Sequence, residues 1–149
     1  MKKTRKVVLC SLAAVSLFLP LISACSSPTR VQARLGQEFT LYLEQTAAVT
    51  GENLEIRFAE VVSDSRCPRN VTCIWAGEVN CLTHIRKTSL GTQSSNLLLV
   101  QAGLSDKPGA EEFDGYKFTF TVEPYPVAGK TTPQGDYLLL MTVTKLADE

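Results

Sequence analysis

Tyr116-Lys117-Phe118-Thr119-Phe120-Thr121-Val122-Glu123 is the stretch that decides the fold of this chain. Its aromatic and aliphatic members alternate strictly with Lys117, Thr119, Thr121 and Glu123, and only a β-strand puts successive side chains on opposite faces. A strand with one apolar and one polar face belongs to a sheet that is wet on one side. Antiparallel sheets allow this and parallel sheets rarely do.

The same reading extends outward. Tyr137–Val143 closes the chain with another strand, apolar on both faces where Leu138 and Leu140 stand. Leu97–Val100 is wholly apolar, which predicts a strand covered on both sides. Val79, Cys81, Thr83 and Ile85 share one face of a strand whose other face carries Glu78, Asn80, His84 and Arg86. Leu54, Ile56 and Phe58 alternate with Glu55 and Arg57. The period then slips, and a bulge near Ala59-Glu60 would restore it. In Glu38–Glu44, Phe39, Leu41 and Leu43 form the apolar face. Gly, Pro, Asn, Asp and Ser clusters separate these runs. The pattern predicts an all-β domain, a single antiparallel β-sandwich or small barrel of about six to seven strands. Two loops, Gly103–Gly115 and Pro124–Gly135, approach a dozen residues, a length that in small domains goes with function or mobility.

The amino terminus reads differently. Met1-Lys2-Lys3-Thr4-Arg5-Lys6 is basic, Val7 to Ile22 is apolar, and Ser23-Ala24 precede Cys25. These are the three parts of a secretory signal. The apolar part is shorter than the roughly 20 residues of a spanning helix, and Pro20 interrupts it, which disfavours a retained anchor. The run Leu21-Ile22-Ser23-Ala24-Cys25 resembles a bacterial lipoprotein signal, beside which an ordinary signal cut elsewhere is the alternative. The resemblance implies lipidation at Cys25 by diacylglycerol and cleavage before it. It divides the chain into a signal peptide (1–24), a lipidated tether (25–35) and a β domain (36–149). It also implies a lipid-anchored place in the cell envelope. With Ser26 rather than Asp after the cysteine, that place is the outer membrane facing the periplasm if two membranes are present, and otherwise the outer face of the cytoplasmic membrane.

Without residues 1–24 the chain keeps 125 residues, enough for one core. Lys2, Lys3, Arg5 and Lys6 leave with the signal, so 15 − 4 = 11 basic side chains face 15 acidic ones, a net of −4. No basic footprint for nucleic acid is visible.

A second informative stretch is Asp64-Ser65-Arg66-Cys67-Pro68-Arg69-Asn70-Val71-Thr72-Cys73-Ile74-Trp75-Ala76-Gly77. An exported domain meets an oxidising compartment. Cys67 and Cys73 flank a turn with Pro68 and Asn70 and form the natural disulfide, worth roughly 2–3 kcal/mol in the chain-entropy account. Asp64 suits backbone N–H groups just ahead of it. Arg66 suits carbonyls or a carboxylate, and Trp75 has the bulk to cover the disulfide. Gly77 releases the chain without a Cβ clash. The stretch resembles a motif, Asp-Ser-Arg-Cys-Pro-x-x-Val-x-Cys-x-Trp-x-Gly, of small exported bacterial proteins, many of them lipoproteins, of unassigned function. Gly36-Gln37, Phe58, Val61, Pro124-Tyr125-Pro126 and Tyr137 extend the likeness over most of residues 36–145. It implies a small β domain and brings no activity. Cys81 stands outside the pattern.

Cys81 leaves an odd thiol, expected buried and reduced. A metal site from Cys67, Cys73, Cys81 and His84 is disfavoured, because residues 81 and 84 face opposite sides of a strand and the spacings are not those of zinc ligands. No cofactor or metal is expected. His84, the only histidine, sits on a polar strand face. There is no nucleophile elbow, and the adjacent Glu111 and Glu112 would diverge on extended backbone. The leading expectation is a non-catalytic binding module that meets an envelope protein or small ligand through Arg66, Arg69 and Trp75 or through the 124–135 loop. The alternatives are a purely structural envelope lipoprotein and a hydrolase using His84.

Overall fold

The computed structural model describes residues 30–88, 92–103 and 107–147. The expected signal peptide, Cys25 and the first residues of the expected tether lie outside them. Nine strands are described: β1 (Val31–Ala33), β2 (Glu38–Tyr42), β3 (Thr46–Val49), β4 (Leu54–Asp64), β5 (Glu78–Thr88), β6 (Thr92–Ala102), β7 (Gly109–Phe113), β8 (Tyr116–Glu123) and β9 (Leu138–Lys145). A single 3-10 turn, Gln134–Asp136, precedes β9.

The strands form a β-sandwich. One sheet has the order β1-β3-β4-β5-β6 and the other β2-β9-β8-β7. All pairs are antiparallel except β1 with β3, a short parallel contact. The decisive stretch behaves as its alternation predicts: Tyr116, Phe118, Phe120 and Val122 are buried, and Lys117 is exposed. They meet Leu54, Ile56, Phe58, Val79 and Leu99 from the facing sheet in one apolar core. Fully burying such side chains contributes about 1.5–3 kcal/mol each before entropy is counted.

The predicted bulge is present. The β4–β5 register shifts between Phe58 and Glu60, and again between Val61 and Ser63. The shifts return Val61 to the core, so β4 stays on one apolar face through eleven residues.

Three expectations are corrected. The tether does not extend to residue 35, because β1 already pairs with β3 and buries Ala33. Leu97–Val100 is not covered on both sides: Leu99 is buried but Leu98, on the face of β6 turned away from the core, is exposed among the described residues. The 103–115 stretch is only partly loop. Residues 109–113 form β7, where Glu112 pairs with Lys117 and Glu111 with Phe118. Opposite charges on directly facing residues favour such a pairing.

Candidate functional site

The cysteine stretch leaves the end of β4 and returns at β5. Cys67 and Cys73 are joined, with Cα atoms 5.9 Å apart. The backbone closes the same loop twice more: Cys67 N–H donates to Ala76 O at 3.0 Å, and Ser65 N–H donates to Glu78 O at 2.8 Å. Gly77 sits at φ +69°, and a Cβ there would lie 1.9 Å from Ser65 O. Only glycine fits both the left-handed backbone and that approach. Gly103, just after β6, donates to Gly77 O at 2.7 Å, which seals the loop base against the sheet edge.

Asp64 and Arg66 form the knot beneath the loop. Arg66 Nε and Nη2 donate to the two Asp64 carboxylate oxygens at 2.9 and 2.7 Å. Nη1 donates to Val122 O at 2.7 Å, and Nη2 also reaches Pro124 O at 3.0 Å. Asp64 further accepts the Arg66 N–H at 3.2 Å and the Tyr137 hydroxyl at 3.1 Å. Burial, with the Asp64 charge and hydrogen bond behind it, pushes the Tyr137 phenol up from its ordinary value and keeps it a donor. Arg66 retains only 3% of its surface. Its bidentate carboxylate pair and two carbonyls use the planar fork of donors that lysine lacks. Arg66, expected as part of a binding surface and as a partner for carbonyls or a carboxylate, is buried, and its charge ties the five-stranded sheet to the end of β8.

Arg69 and Trp75 fare differently. Arg69 lies on the loop's outer turn, where its N–H donates to Pro126 O at 2.9 Å and its backbone forms a parallel bridge with Val127. The two stretches expected as separate surfaces are thus one. The guanidinium carbons of Arg66 and Arg69 stand 5.0 and 5.1 Å from the Tyr125 ring centroid. That is the distance at which a cation is attracted to an aromatic face. Trp75 does not cover the disulfide. It is 80% exposed, and Ile74 beside it 92%.

Between the cysteine loop and β8 lies an open cavity of about 470 Å³. Pro68–Val71, Gln101, Thr121–Glu123 and Tyr125 line it, with Arg66 at its base. Gln101 keeps only 6% of its surface, and its Oε1 accepts the Val122 N–H at 2.9 Å. Glu123 accepts the Tyr125 N–H at 2.9 Å. The lining therefore offers the Arg69 cation, the Glu123 carboxylate, the amides of Asn70 and Gln101, the Thr121 hydroxyl and an aromatic face. These are groups for holding a polar ligand.

Gln101 carries no weight in the sequence reading as a site residue, and Tyr125 enters it only as a member of the 124–135 loop. The only other signal was the position of Pro124-Tyr125-Pro126 beside the likeness described above. His84 lies elsewhere, on the polar face of β5, hydrogen-bonded to Asn96 across the β5–β6 pair. Cys81 is buried and unpaired on the opposite face of that strand, and burial pushes its thiol up to about 12. Among the described residues, no group of three or more His, Cys, Asp or Glu side chains converges on one point. No family model, curated protein or solved structure matches the chain.

Proposed function

We propose that this protein is a bacterial envelope lipoprotein, acylated at Cys25, whose β-sandwich is a non-catalytic binding module. The observation that supports binding is the convergence of the cysteine loop and the 124–135 loop on one cavity. Arg69 and Tyr125 stand at its wall, and Arg66 and Asp64 hold its base rigid. A preformed, disulfide-closed surface binds with little ordering cost, which is how rigid loops gain affinity. The leader and the cysteine motif support the envelope placement, in the outer membrane where a second membrane exists.

The partner is an envelope protein or a small polar ligand. Crosslinking of the lipidated protein in cells, followed by identification of the captured species, tests this. Arg69→Ala is expected to abolish capture and leave the melting temperature in place. Capture that survives Arg69→Ala and Tyr125→Ala alike would overturn the assignment of this surface.

A further inference from the structure

We propose that the Ile74–Trp75 tip of the cysteine loop docks on the bilayer that holds the lipid anchor. This deepens the envelope reading and rests on acylation at Cys25. The tip is an aromatic and an aliphatic side chain presented almost wholly to solvent, and Val71 of the same loop is also exposed. The disulfide at Cys73 and the Cys67 N–H bond to Ala76 O hold the chain on either side of the tip. Tryptophan favours the bilayer boundary, where an apolar ring and a polar N–H are both accommodated.

The direction of the chain supplies the second argument. β1 runs parallel to β3 and β3 antiparallel to β4, so β1 runs away from the cysteine loop that β4 leads into. The segment before Val31 therefore enters from the cysteine-loop side. Val31 is level with Ala47 and Ile56, and Ile56 pairs with Ile85. The loop base at Asp64 pairs with Val79, six residues along β5 from Ile85, which is about 20 Å of strand. Six residues also separate Cys25 from Val31, a reach of about 20 Å at most. With the loop end toward the membrane, that reach lets Cys25 stand level with the loop base at Asp64, and the tip lies beyond that base on the bilayer side. In the inverted orientation the chain must double back at Arg30. A leash this short holds the tip at an effective concentration on the order of millimolar, so a small apolar tip suffices.

Trp75 is the only tryptophan of the chain, so its fluorescence reads the contact directly. The full-length lipidated protein is reconstituted in phosphatidylcholine vesicles, and acylation at Cys25 is checked by mass and by flotation. The expected result is a shift of Trp75 emission to shorter wavelength, quenching by lipids brominated on their acyl chains, and loss of both effects in Ile74→Ser. Acylated, floating protein whose Trp75 emission stays at its value in water, open to aqueous iodide, would overturn the docking and leave the anchor intact. An emission shift that needs added envelope protein, or that follows protein concentration without lipid, would overturn it in favour of a protein partner or a second copy. A chain without an acyl mass would overturn the anchor and the docking together.

Discussion

The two ends of the sandwich use similar chemistry in different surroundings. At the cysteine-loop end, Asp64 and Arg66 pair with 7% and 1% of their side chains exposed, and each nitrogen of the guanidinium donates to a carbonyl or the carboxylate. At the far end, Glu52 accepts from the Tyr116 hydroxyl at 2.7 Å and from Lys145 at 3.2 Å, while Lys87 pairs with Asp114 at 2.9 Å. There the lysines reach into solvent, with Lys145 more than half exposed. Solvent screens the second network and not the first. Counting ion pairs would rank the far end higher, two against one. Burial ranks the ends the other way, because a charge stripped of its buried partner has no water to turn to.

The largest effect tests that ranking directly. Asp64→Ala or Arg66→Leu leaves one buried charge unpaired and is expected to cost about 3–5 kcal/mol in urea unfolding. A cost under about 1 kcal/mol would erase the contrast between the ends, since that is the range of an exposed pair. Next comes the covalent closure above the knot. Replacing Cys67 and Cys73 together by Ala is expected to cost roughly 2–3 kcal/mol, and the loss disappears when the parent is measured under reducing conditions.

A smaller effect belongs to the core thiol between the ends. Burial raises Cys81 from 9.0 to about 12, so the folded state holds a proton that the unfolded chain releases earlier. The thiol's contribution to stability is complete below pH 9.0 and is lost as pH rises toward about 12. Cys81→Val is expected to remove that part of the alkaline slope, and the parent thiol is expected to resist alkylation until the protein unfolds. The smallest effect is at the far end. The Tyr116 hydrogen bond, then Lys145, hold the Glu52 carboxyl below its ordinary value. Its contribution is therefore present above the usual carboxylate range and lost as pH falls through the lowered value. Lys145→Ala should shift the acid midpoint slightly at low salt and not at all in molar salt, where an exposed pair is screened.

Legibility in the sequence followed the strength of the local pattern. β8, β5 and β4 were readable because an alternating apolar face is the physical requirement of a half-buried strand, and the slip after Phe58 exposed the bulge. β3 escaped notice because Ala47 and Ala48 carry too little apolar bulk to mark a face, though Ala47 is fully buried. β7 escaped because Gly109, Ala110, Glu111 and Glu112 have no apolar period at all. A Cβ at Gly109 would lie 2.5 Å from the Phe120 ring, so the strand exists by close approach to β8 rather than by propensity. At the candidate site, residue type alone made legible the Asp64 bond to a backbone N–H just ahead and the need of Arg66 for carbonyls or a carboxylate, though not that the two side chains pair. The role of Val122, Pro124 and Tyr125 was not, because nothing local places the end of β8 against residue 66. Trp75 was misjudged as cover for the disulfide because a large apolar ring next to cysteines is usually buried, and here its strand of loop turns outward.

The Arg66 fork has one more consequence. Its bonds run from Asp64 on one sheet to Val122 and Pro124 on the other, and Tyr137 joins the same carboxylate at the approach to β9. That is a clasp across the mouth of the sandwich. A ligand lodged between the two sheets would need that mouth to open, and here a guanidinium closes it, so the open cavity lies on the rim outside the clasp.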